Sequence, residues 1–226
     1  MSALEEIKKV IPHVEKYVKR RIEEFEKLGR EGYTHYDFKP FLDVSFKAGI
    51  FSELSFCILT ANSSASLGIK IQAYLGEEGF MDKSLEELTN ILKDFGHRYA
   101  QQRAERIVEA RSKFEEVKKL LEREKNPKVI RQLLADTKSL HKIKGFGYKE
   151  ASHFLRNIGF KEVAIVDRHI FRFLMENRLL RHAKTITPRV YIEAEKALEG
   201  LASHLNLTLG ELDLYIFYIK TKKVLK

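Results

Sequence analysis

The segment IKGFGYKEASHFLRNIG (143–159) limits the fold of this chain more than any other part of its sequence. Gly145 and Gly147 bracket Phe146, and a turn built on two glycines lets the backbone approach a partner closely, because glycine has no side chain. Phe146 is expected to pack inward and fix the turn. The segment therefore predicts a short helix, a glycine hairpin and a second helix.

Most of the remaining chain also shows helical spacing. Between residues 4 and 25, apolar residues recur every three or four positions with charged residues between them. Gly29 and Gly32 are expected to end this first helix. Further helices are predicted at 51–62, 85–95, 98–124, 148–157, 189–205 and 210–223. The sequence shows no alternation of apolar and polar residues of the kind that predicts a β-strand, so the predicted fold class is all-α.

Local signals mark several helix ends. Ser84 and Glu87 form a capping box that opens the helix at 85–95, and Gly96 is suited to end it. Asn126 followed by Pro127 is a typical helix start. These signals support the helical interpretation independently of hydrophobic spacing.

The charge of the chain indicates what kind of partner it binds, and its cysteine content bears on disulfide bonds and metal sites. The chain has 41 Lys and Arg against 32 Asp and Glu, a formal net charge of +9. A basic protein suits nucleic acid, because each neutralised phosphate releases counterions. The single cysteine, Cys57, cannot form an internal disulfide or a multi-thiolate metal site. Without a predicted membrane segment or signal peptide, we expect a cytoplasmic protein that associates with the nucleoid when bound to DNA.

The glycine hairpin also predicts an anion site. Backbone N–H groups of the turn lie next to the start of the helix at 148–157, where the helix dipole favours a phosphate. Lys142 and Lys144 add positive charge beside the turn. The alternative is a plain connection between helices with glycine as a C-cap.

Lys149 and Asp167 are the residues that suggest chemistry. Lys149 lies in the first turn of its predicted helix, where the positive end of the dipole disfavours an added proton and so favours a nucleophilic amine. Asp167 follows the apolar run AIV and can stabilise a developing positive charge or accept a proton. Taken separately, the two residues have ordinary interpretations as a solvated surface amine and a helix N-cap.

The hairpin, the lysine and the aspartate together resemble the helix-hairpin-helix DNA glycosylases. The resemblance implies two helical lobes with a central cleft, and a helix-hairpin-helix motif (about 137–158) followed by a loop with a catalytic aspartate. One lobe would be 50–165, and the other would combine 1–49 with 166–226. It also implies that Lys149 attacks the sugar and forms a Schiff base, that Asp167 assists, and that β-elimination then nicks the strand.

The cysteine pattern narrows the resemblance further. Relatives with an iron–sulfur cluster carry four cysteines after the hairpin, and this chain has none there. Animal-type 8-oxoguanine enzymes carry an N-terminal β-rich domain, and no such segment precedes the first helix here. The chain is similar to the compact type-2 8-oxoguanine DNA glycosylase/AP lyase family of archaea and bacteria, along the segments 53–65, 95–111, 147–160, 166–170 and 212–226. This family implies no cofactor and no iron–sulfur cluster, although backbone carbonyls of the hairpin can hold a structural monovalent cation.

The resemblance assigns contacts with the DNA backbone and with the duplex interior. Gly145, Gly147, Lys144 and His169 would contact phosphate. Asn62 would act as a wedge that fills the space left by the flipped base, although a helix C-cap asparagine is an equal interpretation.

The resemblance also assigns the base pocket. Phe217 would stack on the flipped purine, with Tyr99 or Phe95 as an opposing face, although Phe217 can also be a core aromatic. Lys226 would place a free carboxylate at the N–H donors of the base, whereas its ordinary interpretation is a frayed terminus.

These features predict a monomeric enzyme that excises 8-oxoguanine from double-stranded DNA and nicks the abasic strand. One alternative is a glycosylase for oxidised pyrimidines of the endonuclease III type without its iron–sulfur cluster. Another is a non-catalytic helix-hairpin-helix module that only binds DNA.

Overall fold

The computed structural model describes residues 2–181 and 183–226, and that part of the chain forms ten helices and one small two-stranded sheet. The elements, in chain order, are α1 (Ala3–Glu31), β1 (Tyr33–Asp37), β2 (Ser45–Gly49), α2 (Ile50–Thr60), α3 (Ala65–Asp82), α4 (Leu85–Asp94), α5 (Ala100–Arg123), α6 (Pro127–Ala135), α7 (Tyr148–Asn157), α8 (Arg168–Glu176), α9 (Pro188–Leu205) and α10 (Leu209–Thr221).

The all-α prediction is wrong for residues 33–49. Strands β1 and β2 pair antiparallel, with Tyr33 opposite Gly49 and Tyr36 opposite Phe46. Tyr36 and Phe46 are both buried and pack against each other with ring centroids 5.8 Å apart. Each strand has only five residues, so it contains two or three inward positions. An alternation that short is weak evidence in a sequence, and burial of the aromatic face is what stabilises the pair.

Helix α1 is longer than predicted, because Gly29 lies inside it. Gly32 follows the helix with a φ of 77°, which is the left-handed geometry of a glycine C-cap, as predicted. At Gly29, an added Cβ would lie 2.0 Å from the carbonyl oxygen of Ile158. Gly29 therefore allows α1 to pass close to the end of α7, and the prediction that it ends the helix is wrong.

The capping signals are confirmed at the next helices. Ser84 N–H donates to Glu87 Oε2 at 2.8 Å, and Glu87 N–H donates to Ser84 Oγ at 3.2 Å, so the box opens α4. Gly96 adopts a φ of 72° just after α4. Asn126 caps α6 by accepting the Lys128 N–H at 3.0 Å. Helix α7 occupies the predicted range 148–157.

Helix α2 forms the centre of the core. Ten of its eleven residues are buried, and it packs against α3, α5 and α7. Helix α10 packs against α1, α8 and α9. The division into a 50–165 lobe and a lobe of 1–49 with 166–226 stays a prediction. Within the described residues, no helix has the length and apolar character needed to cross a membrane.

Candidate active site

A cavity of about 1210 Å³ is lined by the ends of α2, α6 and α7, by α9 and α10, and by the loop before α8. It brings together seven of the nine predicted site residues, namely Asn62, Gly147, Lys149, Asp167, His169, Phe217 and Lys226. The two predicted residues that lie outside it are Lys144 and Gly145. A cavity of this size is large enough to hold a small molecule or a single nucleotide base.

Lys149 lies on the cavity wall in the first turn of α7, as predicted. Gly147 is the N-cap, so Lys149 is the second residue of the helix. About a quarter of its side chain is exposed, and its Nζ lies 3.9 Å from Glu150 Oε1, which is the outer limit of an ion pair. The amine therefore borders the cavity with only a loose partner among the described residues.

Asp167 is the N-cap of α8 and lines the same cavity. Its Oδ1 accepts the backbone N–H groups of His169 at 2.8 Å and Ile170 at 2.9 Å. Both of these hydrogen bonds use one oxygen, and Oδ2 accepts none from the described residues. The capping interpretation is confirmed, and it fixes the carboxylate while one oxygen stays available.

Asp213 is a second cavity carboxylate that the sequence interpretation missed. It lies on α10, is 6% exposed and pairs with the buried guanidinium of Arg156. Burial raises the pKa of Asp213 to about 7, Arg156 opposes this shift, and the nearby charge of Asp167 adds to it. A lone acid in the apolar run LDLYIFYI was the signal available in the sequence.

His153 is also on the cavity wall, one helical turn after Lys149. The ring is 5% exposed and meets Phe56 edge-on at 5.4 Å. Burial holds the pKa of His153 well below its usual value, and the charges of Lys149, Arg156 and Lys226 act in the same direction. The Lys226 backbone also faces the ring, but neither ring nitrogen forms a hydrogen bond of ordinary geometry with a described residue. Burial therefore favours the neutral form of the imidazole.

Lys226 lines the cavity, and its side chain points into the core. Its Nζ donates to Glu53 Oε2 at 2.6 Å and to Gln72 Oε1 at 2.5 Å. The same ammonium lies 4.0 Å from the ring centroid of Phe56 and 4.3 Å from that of Tyr36. Burial lowers the pKa of Lys226 to about 8, and Glu53 opposes the shift. The side chain thus anchors this part of the chain against α2, β1 and α3.

Phe217 and His169 form the aromatic part of the cavity. Their ring centroids are 5.7 Å apart at an angle of 83°. Neither Tyr99 nor Phe95 lines the cavity. Tyr99 instead contacts Arg98 and Arg103, and Phe95 packs edge-on against Tyr74. The structure therefore does not place either predicted opposing aromatic across from Phe217.

Asn62 lies at the cavity rim, in a turn whose preceding backbone carbonyls contact Arg103 and His97. It is exposed, with a φ of 59°, and the helix C-cap before it is Ala61. Arg103 Nη2 donates to the Ala61 carbonyl at 2.6 Å, and the His97 ring lies 3.0 Å from the Leu59 carbonyl. Asn62 is therefore presented on a fixed backbone just beyond α2.

The hairpin turn (136–147) joins α6 to α7 beside the cavity. Gly145 has a φ of 93°, and an added Cβ would lie 2.9 Å from the Arg106 side chain. Lys144 is mostly exposed, and its Nζ lies 3.1 Å from Glu109 Oε2. The Gly147 N–H already donates to Glu150 Oε2 at 3.1 Å, so it is not a free donor. Phe146 is buried, as predicted.

A glycine hairpin, a lysine in the first turn of its second helix and an aspartate that caps the next helix meet at one cavity of a largely helical protein. This combination is the arrangement of a helix-hairpin-helix DNA glycosylase. Residues 33–207 match the sequence profile of the family described as 8-oxoguanine DNA glycosylase. The chain belongs to the 8-oxoguanine DNA glycosylase family.

Individual relatives support this membership over the full length. The chain is 74% identical over 226 residues, all of both chains, to the 8-oxoguanine DNA glycosylase/AP lyase of Aquifex aeolicus. The structure of the Methanocaldococcus jannaschii 8-oxoguanine glycosylase/lyase with a 15mer DNA containing 8-oxoguanine superposes with a TM-score of 0.83, at 41% identity and full coverage of both chains. The 8-oxoguanine DNA glycosylase of Thermotoga maritima gives a TM-score of 0.83 at 37% identity, covering 99% of this chain and 98% of that one.

Proposed function

We propose that this protein removes 8-oxoguanine from double-stranded DNA and then cleaves the strand at the abasic site. The observation that carries the proposal is the meeting of Lys149 and Asp167 at one cavity. Membership of the family, and the Aquifex aeolicus relative with 74% identity, support the choice of 8-oxoguanine. A base inside a duplex cannot reach such a cavity, so the substrate base must flip out of the stack.

Lys149 is the proposed nucleophile. Its neutral amine attacks the anomeric carbon of the sugar, the bond to the base breaks, and the electron pair of that bond leaves with the base. The amine then loses a proton, the C1′–O4′ bond of the sugar ring breaks with protonation of O4′, and a Schiff base forms between C1′ and the lysine nitrogen. Loss of a C2′ proton from this Schiff base expels the 3′ phosphate by β-elimination, which nicks the strand. The loose 3.9 Å contact with Glu150 supports this role, because the amine gives up little when it moves toward the sugar.

Asp167 is the proposed electrostatic partner of the sugar. Two backbone N–H groups hold its Oδ1, so the carboxylate needs no reorganisation when positive charge develops on the sugar. Its free Oδ2 is the atom that would face that charge. A fixed carboxylate is more effective at this task than a mobile one, since its orientation is determined before the reaction.

The other predicted residues are proposed to bind the DNA. Phe217 would stack on the flipped base, since it lines the cavity. Lys226 also lines the cavity, and its carboxylate oxygens would accept hydrogen bonds from the edge of the base. Asn62 would enter the duplex from its fixed turn. Because Gly147 already donates to Glu150, phosphate contact at the hairpin turn is proposed to depend on Lys144 and Gly145.

His169, at the start of α8, is proposed as a further phosphate contact. The proposed reaction needs no cofactor, because an amine and a carboxylate carry it. The protein is proposed to act as a monomer, in the cytoplasm and at the nucleoid.

The proposal is tested with end-labelled duplexes that carry a single 8-oxoguanine or a single thymine glycol. We expect the wild type to nick the 8-oxoguanine strand without added alkali. Lys149→Gln should lower this rate by a factor on the order of 10³ or more, since it removes the nucleophile. Lys8→Gln, the same substitution at an exposed lysine of α1 outside the cavity, is the control and should retain cleavage.

Nicking of the thymine glycol duplex alone would contradict the proposal and indicate an oxidised-pyrimidine glycosylase. Binding of both duplexes without any cleavage would indicate a non-catalytic DNA-binding module.

A further inference from the structure

Two lysine side chains turn inward at the hairpin turn and cap its carbonyl groups. Lys142 Nζ donates to the carbonyl of Ala135 at 2.7 Å and to that of Phe146 at 2.5 Å. Lys113 Nζ, from α5, donates to the carbonyl of Lys142 at 2.9 Å. Two ammonium groups thus bind three carbonyl oxygens in and next to one turn.

The position of the Lys142 ammonium is electrostatically favourable. Ala135 is the last residue of α6, so its carbonyl lacks a partner within the helix and lies at the negative end of the dipole. Hydrogen bonds from an ammonium to such oxygens are stronger than those between neutral groups. Burial lowers the pKa of Lys142, and the charges of Glu150 and Asp136 oppose that shift.

Backbone carbonyl oxygens of this turn are also the groups that a metal ion bound there would use as ligands. The resemblance to helix-hairpin-helix glycosylases predicts a structural monovalent cation held by backbone carbonyls of the hairpin. Hard cations take several oxygen ligands at once. Here the Phe146 carbonyl accepts from Lys142, and the Ile143 carbonyl accepts the Phe146 N–H at 3.0 Å. A metal ion at these oxygens would also be next to a like charge, so the residues present do not fit one.

We propose that the Lys142 ammonium is a covalently attached cation that holds the hairpin turn in its DNA-binding shape, in place of a monovalent metal ion. The inference rests on the proposed binding of DNA phosphate at this turn. It makes Lys142 a positioning residue that joins the end of α6 to the glycine turn before α7. DNA affinity should then fall with total salt, as for any protein that binds phosphate, but should not depend on which monovalent cation supplies that salt.

The test compares DNA binding in potassium, sodium and tetramethylammonium chloride at one ionic strength. The Lys149→Gln protein serves as the parent, so that the 8-oxoguanine duplex is bound without being cut, and affinity is measured by fluorescence anisotropy. We expect the parent to bind equally, within about twofold, in all three salts. Adding Lys142→Met should weaken binding on the order of tenfold in tetramethylammonium, or about 1.4 kcal/mol. Potassium should restore part of this loss, because a small ion can enter the emptied carbonyl site.

Lys138→Met is the matched control, because Lys138 lies in the same turn, is exposed, and its side chain has no hydrogen bond or ion pair with a described residue. Parent binding that favours potassium by more than about threefold overturns the proposal, and this arm needs no Lys142 variant to fold. Equal affinities of the Lys142→Met and Lys138→Met proteins overturn it as well. The proposal is also overturned if the Lys142→Met protein binds DNA as weakly in potassium as in tetramethylammonium, because the lost positive charge alone would then explain the weaker binding. Nicking of the 8-oxoguanine duplex by the wild type tests the proposed function separately.

Discussion

The buried pair of Glu53 and Lys226 allows a quantitative test of what anchors the cavity wall. Both side chains are completely buried, and the Lys226 Nζ lies 2.6 Å from Glu53 Oε2. At an effective dielectric constant of about 20, Coulomb's law gives about 6 kcal/mol of attraction at that distance. Desolvation of the two charges offsets much of this attraction, so the pair is worth less than the Coulomb energy.

Removing one partner is expected to cost far more than removing both. In Lys226→Met, the Glu53 carboxylate keeps hydrogen bonds from Asn157 at 2.6 Å, Gln72 at 3.1 Å and Tyr36 at 3.2 Å but loses its cation. We expect a loss of about 3–5 kcal/mol in the free energy of unfolding, the usual cost of an uncompensated buried charge. Glu53→Gln should cost a similar amount, because it leaves the ammonium without its carboxylate.

The double variant Glu53→Gln/Lys226→Met removes both charges. Its free energy of unfolding should fall by no more than that of either single variant. The coupling energy of this double-mutant cycle should then reach about 3 kcal/mol. The assay is urea unfolding followed by circular dichroism at neutral pH, analysed by linear extrapolation. Single losses that add to within about 0.5 kcal/mol in the double variant would refute the reasoning, because they would show that the two groups do not interact.

Two further substitutions test His153 and Gly29. Because the pKa of His153 is depressed in the fold, the wild type should lose stability as the pH falls below about 6.5, by up to about 1.4 kcal/mol per pH unit. In unfolding experiments from pH 7 to 5, the free energy of unfolding of His153→Gln should not show this fall with pH. If it falls as steeply as that of the wild type, His153 is not the group responsible. Gly29→Ala should destabilise the protein by about 1–3 kcal/mol, because its Cβ meets the Ile158 carbonyl. Gly200→Ala, in open space on α9, should instead stabilise it by up to about 1 kcal/mol, and equal melting temperatures for the two variants would contradict this packing argument.

The sequence predicted the features that depend on neighbouring residues. The capping box of Ser84 and Glu87, the glycine end of α1 at Gly32 and the range of α7 each follow from a few adjacent positions. The placement of Lys149 and Asp167 at one cavity followed from the resemblance, because their separation in the chain says nothing by itself about their separation in space.

Long-range packing explains what the sequence interpretation missed. Lys226 contacts Glu53, 173 positions earlier, and Asp213 contacts Arg156, 57 positions earlier. Neither pair has a local signal, since a lysine near a chain end and an acid in an apolar helix have ordinary interpretations. The predicted helix end at Gly29 is wrong for the same reason, because the role of this glycine depends on the distant carbonyl of Ile158.

The most direct test of the central claim is chemical trapping of the proposed Schiff base. Wild type, Lys149→Gln and Asp167→Asn are incubated with an 8-oxoguanine duplex in the presence of sodium borohydride, and any covalent protein–DNA adduct is digested and mapped by mass spectrometry. The account predicts an adduct on the peptide that contains Lys149, a weaker adduct with Asp167→Asn, and none with Lys149→Gln. An adduct on another lysine, or one of undiminished yield in Lys149→Gln, would contradict it.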